Sequence, residues 1–391
     1  MDLMKLLFSL FILISFNAAS QKATENIITA KTSGKMPMLA YGLGEDRLGG
    51  AKMGYIDTGV TLKIIDSVRN QYLVRLAKNR TAYIAKADAK IDTSIKTKPF
   101  YLTNSWSVRG DSVYDYVSFS LDEKLPYKSW MEINPSKIMV ELYGVQSNTN
   151  WITQLQSAKE VKNIYFEQTE DDVVRVTIEL KHQQHWGYTV GYRGRSLAIR
   201  IRRQPASLRL NKMKIAIDAG HGGSNTGASG VTTKLLEKNL TILFANKLEK
   251  VLKQKGAEVV MTRTTDADIN NTDRVLFLQK EMPDLLISIH LNSAGNKNVK
   301  GVSTYYKHIG FRPLTTTILS RMLDLKLGEF GNIGHFNFTM NAPTDFPNSL
   351  VEVAFLSNEE DEKRIIDPKF QKAVAKKIHL GIRDWLKSIE D

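Results

Sequence analysis

Two histidines and two glutamates in the C-terminal half stand where hydrophobic runs stop. "KIAIDAGHGGSNTGASG", residues 214–230, passes from an apolar strand into a glycine-rich loop, with His221 at the junction. "DLLISIH" ends on His290, "SLVEVAFL" carries Glu352, and Glu237 opens the first amphipathic stretch after the loop. In sheets built from alternating strands and helices, ligands bind beyond the carboxyl ends of the strands, so these four groups are expected at one edge. Two imidazoles and one carboxylate make an open zinc site whose fourth position holds water, with a pKa brought down to ~7. A further carboxylate nearby can take the proton and later pass it to a leaving amine. Any one of these residues is ordinary by itself: a polar side chain at a strand end, or a glutamate favoured by a helix N-terminus. Glu352 within an apolar strand is costly without a partner or a metal, and the four together point to a metal centre. Gly220, Gly222 and Gly223 would let the loop bend around the ion without side-chain clash.

The elements that must position these groups follow from Lys212 onward. "KIAID", "AEVVMT", "DLLISIH", "GVSTYY" and "SLVEVAFL" read as strands. "EKNLTILFANKLEKVLKQKG" places Leu240, Leu243, Phe244, Leu248, Val251 and Leu252 on one helical face, with Gly256 as its stop. "TDRVLFLQKEM" and "PLTTTILSRMLDLKL" read as further helices, "SNEE" as a capping box, and Pro368 as the first position of the last helix. This alternation predicts an α/β catalytic domain over 212–391 with a mostly parallel sheet between helices.

In order, "AIDAGHGGSNTGASG", "LLEKNLTILFANKL", "VVMTRTTD", "LLISIHLNS" and "SLVEVAFLSNEEDE" resemble the zinc-dependent N-acetylmuramoyl-L-alanine amidases of the type 3 family, across residues 213–388. The resemblance implies His221, Glu237 and His290 as ligands of Zn2+ and Glu352 as the catalytic carboxylate. It implies a peptidoglycan hydrolase that cleaves the amide between N-acetylmuramic acid and the L-alanine of the stem peptide. Ala354 stands where the family usually has glycine, and residues 328–349, which include His335, match least. That segment is expected along the substrate cleft. Some relatives plug the active site with an added helix. Here only the stretch near 313–327 is helical between His290 and Glu352, and its apolar positions suit packing on the sheet, so an open cleft is expected.

The N-terminal half is read as two β domains. Residues 36–92 resemble a small SH3-like β barrel, with "GVTLKIID", "QYLVRL" and "TAYIAK" as strands between glycine turns. Residues 97–205 read as a β sandwich, with Leu197, Ile199 and Ile201 on one face of "SLAIRIR" and Arg200 and Arg202 on the other. The pattern resembles the domain that precedes the catalytic domain in some cell-wall amidases, and a wall-targeting role follows from it. His182 and His185 in "HQQH" lack a nearby third ligand and read as surface polar residues. A polar linker is expected over 205–211.

Residues 1–20, with Lys5 ahead of an apolar run and Ala18, Ala19 and Ser20 behind it, read as a signal peptide. An exported protein of the cell envelope, periplasmic or extracellular, is therefore expected. The 391 residues contain no cysteine, which excludes disulfides, thiolate metal sites and a cysteine nucleophile. Most of the net charge of +13 lies ahead of residue 212, densest from Arg193 to Lys214, where no acidic residue occurs. An anionic wall polymer is the partner that suits an exported basic chain. Nucleic acid and stable membrane insertion are not expected, and an envelope protein docking through the β domains stays open. Two other functions compete: a peptidoglycan-binding protein with little or no activity, and a zinc peptidase acting on the stem peptide.

Overall fold

The structure, a computed structural model, describes residues 27–44 and 49–390. The expected signal peptide lies outside the described residues. No described helix is long and apolar enough to cross a membrane.

The described residues open with an antiparallel seven-stranded sheet. Its spatial order is Lys52–Tyr55, Met38–Ala40, Arg80–Ala85, Gln71–Ala77, Thr61–Val68, Ile28–Thr32 and Ala89–Ile91. It takes in Ile28–Thr32, ahead of the expected start at 36, because that strand pairs with both Thr61–Val68 and Ala89–Ile91. Alternating residues such as Leu62, Ile64, Val74 and Ile84 fill its core.

Two more sheets follow. One orders Tyr127–Glu132, Lys137–Tyr143, Val173–Leu180 and Val161–Glu170. The other orders Val145–Gln146, Tyr101–Gly110, Tyr114–Leu121, Ser196–Arg202 and Tyr188–Arg193, and Ile152–Gln154 also pairs with Tyr101–Gly110. Trp106 ties the two together: it stacks on Phe119 of its own sheet at 4.3 Å and leans on Phe166 of the other at 5.0 Å. Leu197, Ile199 and Ile201 are buried as their alternation required.

The last part carries β1 (Lys214–Ala219), α1 (Glu237–Gln254), β2 (Glu258–Met261), α2 (Asn271–Glu281), β3 (Leu285–Asn292), β4 (Val302–Tyr305) and α3 (Arg312–Leu323). β5 (Glu329–Ile333), β6 (Asn348–Phe355), α4 (Glu359–Ile365) and α5 (Pro368–Glu390) complete it. The sheet runs β2-β1-β3-β6-β4-β5. β1 is parallel to β2 and β3, β3 is parallel to β6, and β4 is antiparallel to β6 but parallel to β5. Alternation along β1 sorts the two faces. Ile215, Ile217 and Ala219 join Leu240, Phe244 and Leu248 of α1, Ile318 of α3 and Ile382 of α5, whereas Ala216 packs with Val275 and Leu278 of α2. Leu243 was expected on the buried face of α1 but is exposed, being displaced around the helix from the Leu240–Phe244–Leu248 stripe. The cap of α4 is Asn358, whose side chain accepts from the backbone N–H of Glu360 and Asp361. It displaces the expected Ser357, whose Oγ accepts from Ala294 N instead.

The modules interlock. Trp186, which precedes strand Tyr188–Arg193, meets Trp385 of α5 at 5.3 Å, and both belong to the apolar cluster of the last sheet. Leu208 joins that cluster too, so the stretch expected to be a free polar linker is partly anchored. Arg202 reaches Asp284 Oδ1 at 2.6 Å, Arg203 reaches Asp115 Oδ1 at 2.7 Å, and Lys214 reaches Glu281 at 2.8 Å. Three of the eight cations in the densest basic stretch are therefore spent on ion pairs within the chain.

Candidate metal centre

β1 and β3 lie side by side, and both deliver their C-terminal residues to one cleft of about 810 Å3. His221 follows the end of β1 and His290 sits near the end of β3. Glu352 of β6 is the register partner of His290, and paired residues on neighbouring strands project to the same face. Glu237 enters from the first position of α1. All four line this cleft.

Three of them close into a triangle. Glu237 Oε1 lies 3.1 Å from His221 Nε2 and 3.1 Å from His290 Nδ1, and the two ring nitrogens are 3.2 Å apart. A ligand-bearing atom of each lies within 4.8 Å of the others, a grouping able to hold a metal ion. Glu237 is 5% exposed, whereas His221 and His290 keep 21% and 18%, so the triangle opens to solvent on the histidine side.

The carboxylate is held from behind. Its Oε2 accepts from Ala228 N at 2.8 Å and its Oε1 from Leu291 N at 2.9 Å. Burial disfavours its charge, but the hydrogen bonds from both histidines outweigh that and hold its pKa well below the ordinary range. Burial likewise opposes charge on His221, and the hydrogen bond to Glu237 outweighs it, so that pKa is raised.

Close approach explains two glycines. A Cβ at Gly220 would stand 2.4 Å from the His290 ring, so this glycine makes room for that ring rather than for a bend. At Gly227, φ is +66°, and a Cβ would meet Glu237 Oε2 at 2.5 Å and the His221 ring at 2.7 Å. His221 itself adopts φ +62°, a conformation uncommon for a side-chain-bearing residue.

Several supporting residues had no signal in the sequence reading. Asn225 Oδ1 meets His221 Nδ1 at 2.8 Å, which leaves Nε2 to face the triangle. Arg274 of α2 donates to Asp218 Oδ1, to Ala219 O and to His221 O. Arg263 donates to Ala219 O and Gly220 O at 2.9 and 3.0 Å. Asp218, fully buried, also accepts from Thr262 and Ser288 at 2.7 and 2.6 Å. Apart from Asn225, which is four residues from His221, these partners lie 40 to 70 residues away or bond to backbone carbonyls, which leave no periodic mark.

Of the weakly matched segment, Phe338, Thr339 and Met340 line the cleft, and Phe338 stacks parallel to His290 at 6.4 Å. His335 does not reach the cleft and lines a separate cavity. His185 was expected at the surface but is 1% exposed, with Nε2 at 2.9 Å from both Ser136 Oγ and Glu132 O. His182 is half-exposed and pairs with buried Glu160 at 2.7 Å. The two do not meet as a metal pair, because each turns to its own partner. Ala354 is buried in the core on the helix side of β6.

Residues 215–384 match the family described as N-acetylmuramoyl-L-alanine amidase, and residues 106–201 match the AMIN domain. The chain joins an AMIN domain to an amidase-family domain. A curated relative, "Probable cell wall amidase LytH" of Staphylococcus epidermidis, is 34% identical over 186 residues, 46% of this chain and 62% of its own. The chain thus spans about three-fifths of that relative's length. Among solved structures, the catalytic domain of the amidase CwlV from Bacillus (Paenibacillus) polymyxa is 32% identical, with a TM-score of 0.42, over 45% of this chain and 98% of that one. An N-acetylmuramoyl-L-alanine amidase from Clostridium difficile 630 gives 32%, 0.43, 45% and 97%. α3 turns Leu314, Ile318 and Met322 into the core, away from the cleft.

Proposed function

We propose that the protein is an exported, zinc-dependent N-acetylmuramoyl-L-alanine amidase that hydrolyses the amide between N-acetylmuramic acid and the L-alanine of the stem peptide. The observation that carries this reading is the triangle of His221, Glu237 and His290, with edges of 3.1–3.2 Å, in a cleft that Glu352 also lines. The donor set fits zinc: a tetrahedral ion with bonds of ~2.0–2.1 Å holds its ligand atoms ~3.3–3.4 Å apart. Zinc, when bound, supplies a Lewis acid and a water of pKa ~7.

The chain's own residues do the rest. His221, Glu237 and His290 hold the ion, and Asn225 fixes the tautomer of His221. Glu352 takes a proton from the attacking water and returns it to the nitrogen of the leaving L-alanine. Phe338 and Met340 wall the cleft beside His290 and limit bulk water there. The family membership, the wall-amidase relatives and the signal-peptide pattern support an envelope location. On this reading the AMIN domain and the N-terminal sheet, which we read as SH3-like, hold the enzyme to the wall.

Mass spectrometry of digested sacculi tests the bond. A lactyl-terminated glycan and free peptides beginning with L-alanine are expected. Peptides cut within the stem would replace this reading with a peptidase, and binding without products would replace it with a wall-binding protein.

A further inference from the structure

A second cavity, of about 450 Å3, opens where the three modules meet. Tyr41 and Lys52 reach it from the N-terminal sheet, Lys128 and Trp130 from strand Tyr127–Glu132, and Lys307 and His335 from the amidase domain. No Asp or Glu is among the described residues that line it. Its size and its place between domains are those of ligand sites, which run to ~300–1,000 Å3.

Among the described residues, two of its cations meet only neutral oxygens. Lys52 Nζ donates to Thr339 Oγ1 at 3.2 Å, and Lys307 Nζ donates to the carbonyl oxygen of Lys52 at 3.1 Å. Among the described residues, neither ammonium has a carboxylate within salt-bridge distance, whereas Lys128 has Glu141 at 3.5 Å. Burial, with the nearby charge of Lys52 second, pushes Lys307 down to about 8, and burial also lowers Lys52. Two half-buried ammoniums, each held by a neutral oxygen of its own, cost free energy, and an anion placed between them relieves both.

The partition from the catalytic cleft is thin. His335 and Asn337 face this cavity, while Phe338, Thr339 and Met340 face the cleft. Asn337 is clamped to the N-terminal sheet: its Oδ1 accepts from Lys52 N at 3.0 Å and its Nδ2 donates to Gly50 O at 2.9 Å. Three peptide steps, at most ~10 Å, separate His335 from Phe338, and an extended four-residue peptide reaches ~13 Å.

We propose that this cavity is a subsite for the carboxylates of the stem peptide, which crosses residues 335–340 and places its acidic groups between Lys52 and Lys307. The inference rests on the reading of the cleft as an amidase site. It makes the N-terminal sheet part of substrate selection, since Lys52 belongs to that sheet.

Binding is separated from turnover by working in the Glu352→Gln chain. Its affinity is measured for a soluble disaccharide–tetrapeptide with free carboxylates and for the same molecule with its carboxylates amidated. The free acid is expected to bind at least tenfold more tightly, and Lys52→Met with Lys307→Met to abolish that preference while the amidated ligand still binds. Retention of the acid preference in the double variant overturns the proposal. So does tighter binding of poly(glycerol phosphate) than of the free acid, if the double variant removes that binding. Should the double variant fail to fold, Lys307→Met alone keeps the Lys52–Thr339 bond and is expected to lose severalfold of the preference; an unchanged preference there is equally decisive. The amidase reading fails differently, through absence of muropeptide cleavage by the wild-type chain, and the acid-over-amide preference is read independently of it.

Discussion

At the scale of residues, the proposed chemistry divides ligand holding from proton transfer, and each part has its own signature. Glu352→Gln keeps the shape of the side chain and is not among the triangle's atoms. It is expected to retain bound zinc and lose at least ~10²-fold in turnover, in line with general acid–base contributions; wild-type turnover would contradict the role. Gly220→Ala puts a methyl group 2.4 Å from the His290 ring. It is expected to fold and to lose zinc, which metal analysis after dialysis reads directly. Asn225→Ala frees the His221 ring to turn and adopt the other tautomer, and a loss of ~10–100-fold in zinc affinity is expected, as for other partners behind metal ligands. A competition titration with a chromophoric chelator gives that number.

At the scale of elements, legibility followed range. His221, His290 and Glu352 could be read because each closes or occupies an apolar run, and Glu237 because it opens an amphipathic one. The strand–helix order, the buried stripe of α1 and the alternation of Ser196–Arg202, with Arg200 and Arg202 on the face opposite the core, were equally local. Arg263 and Arg274 could not be read, since what they do depends on which distant backbone they meet; Phe338 depends on a ring 48 residues away, and Asn225, only four residues from His221, on the turn that brings the two side chains together. His185 is the clearest miss: "HQQH" looks polar, yet the fold seals the second histidine between Ser136 and the end of strand Tyr127–Glu132. Burial pushes its pKa down from the ordinary 6.5 to about 4. The unfolded chain therefore takes up this proton first as pH falls. Stability is full above pH ~6.5 and declines toward pH 4, by up to ~3 kcal/mol for this group. His185→Gln is expected to melt below wild type at pH 7.5 yet show a flatter loss of Tm down to pH 4.5. An equal slope in the two proteins would place the acid sensitivity elsewhere.

At the scale of the whole molecule, the modules are less separable than the sequence suggested. Trp186 and Leu208 pack into the same cluster as Trp385, and burying one such side chain is worth ~1.5–3 kcal/mol. A fragment beginning near Leu210 is therefore expected to be destabilised by at least ~3 kcal/mol relative to the chain from residue 27, as read by urea melts. Equal midpoints and slopes would show that the interface contributes nothing. The same packing leaves α3 buried and the cleft without a helical plug among the described residues, so the purified chain is expected to act without an activator. The most direct test of the central claim counts zinc and released stem peptide in one preparation. Chelation followed by dialysis should remove the metal and abolish release, and one equivalent of zinc per chain should restore it, with His290→Ala unable to regain either. Full release of L-alanine-terminated peptide from protein shown by elemental analysis to be metal-free would contradict the account.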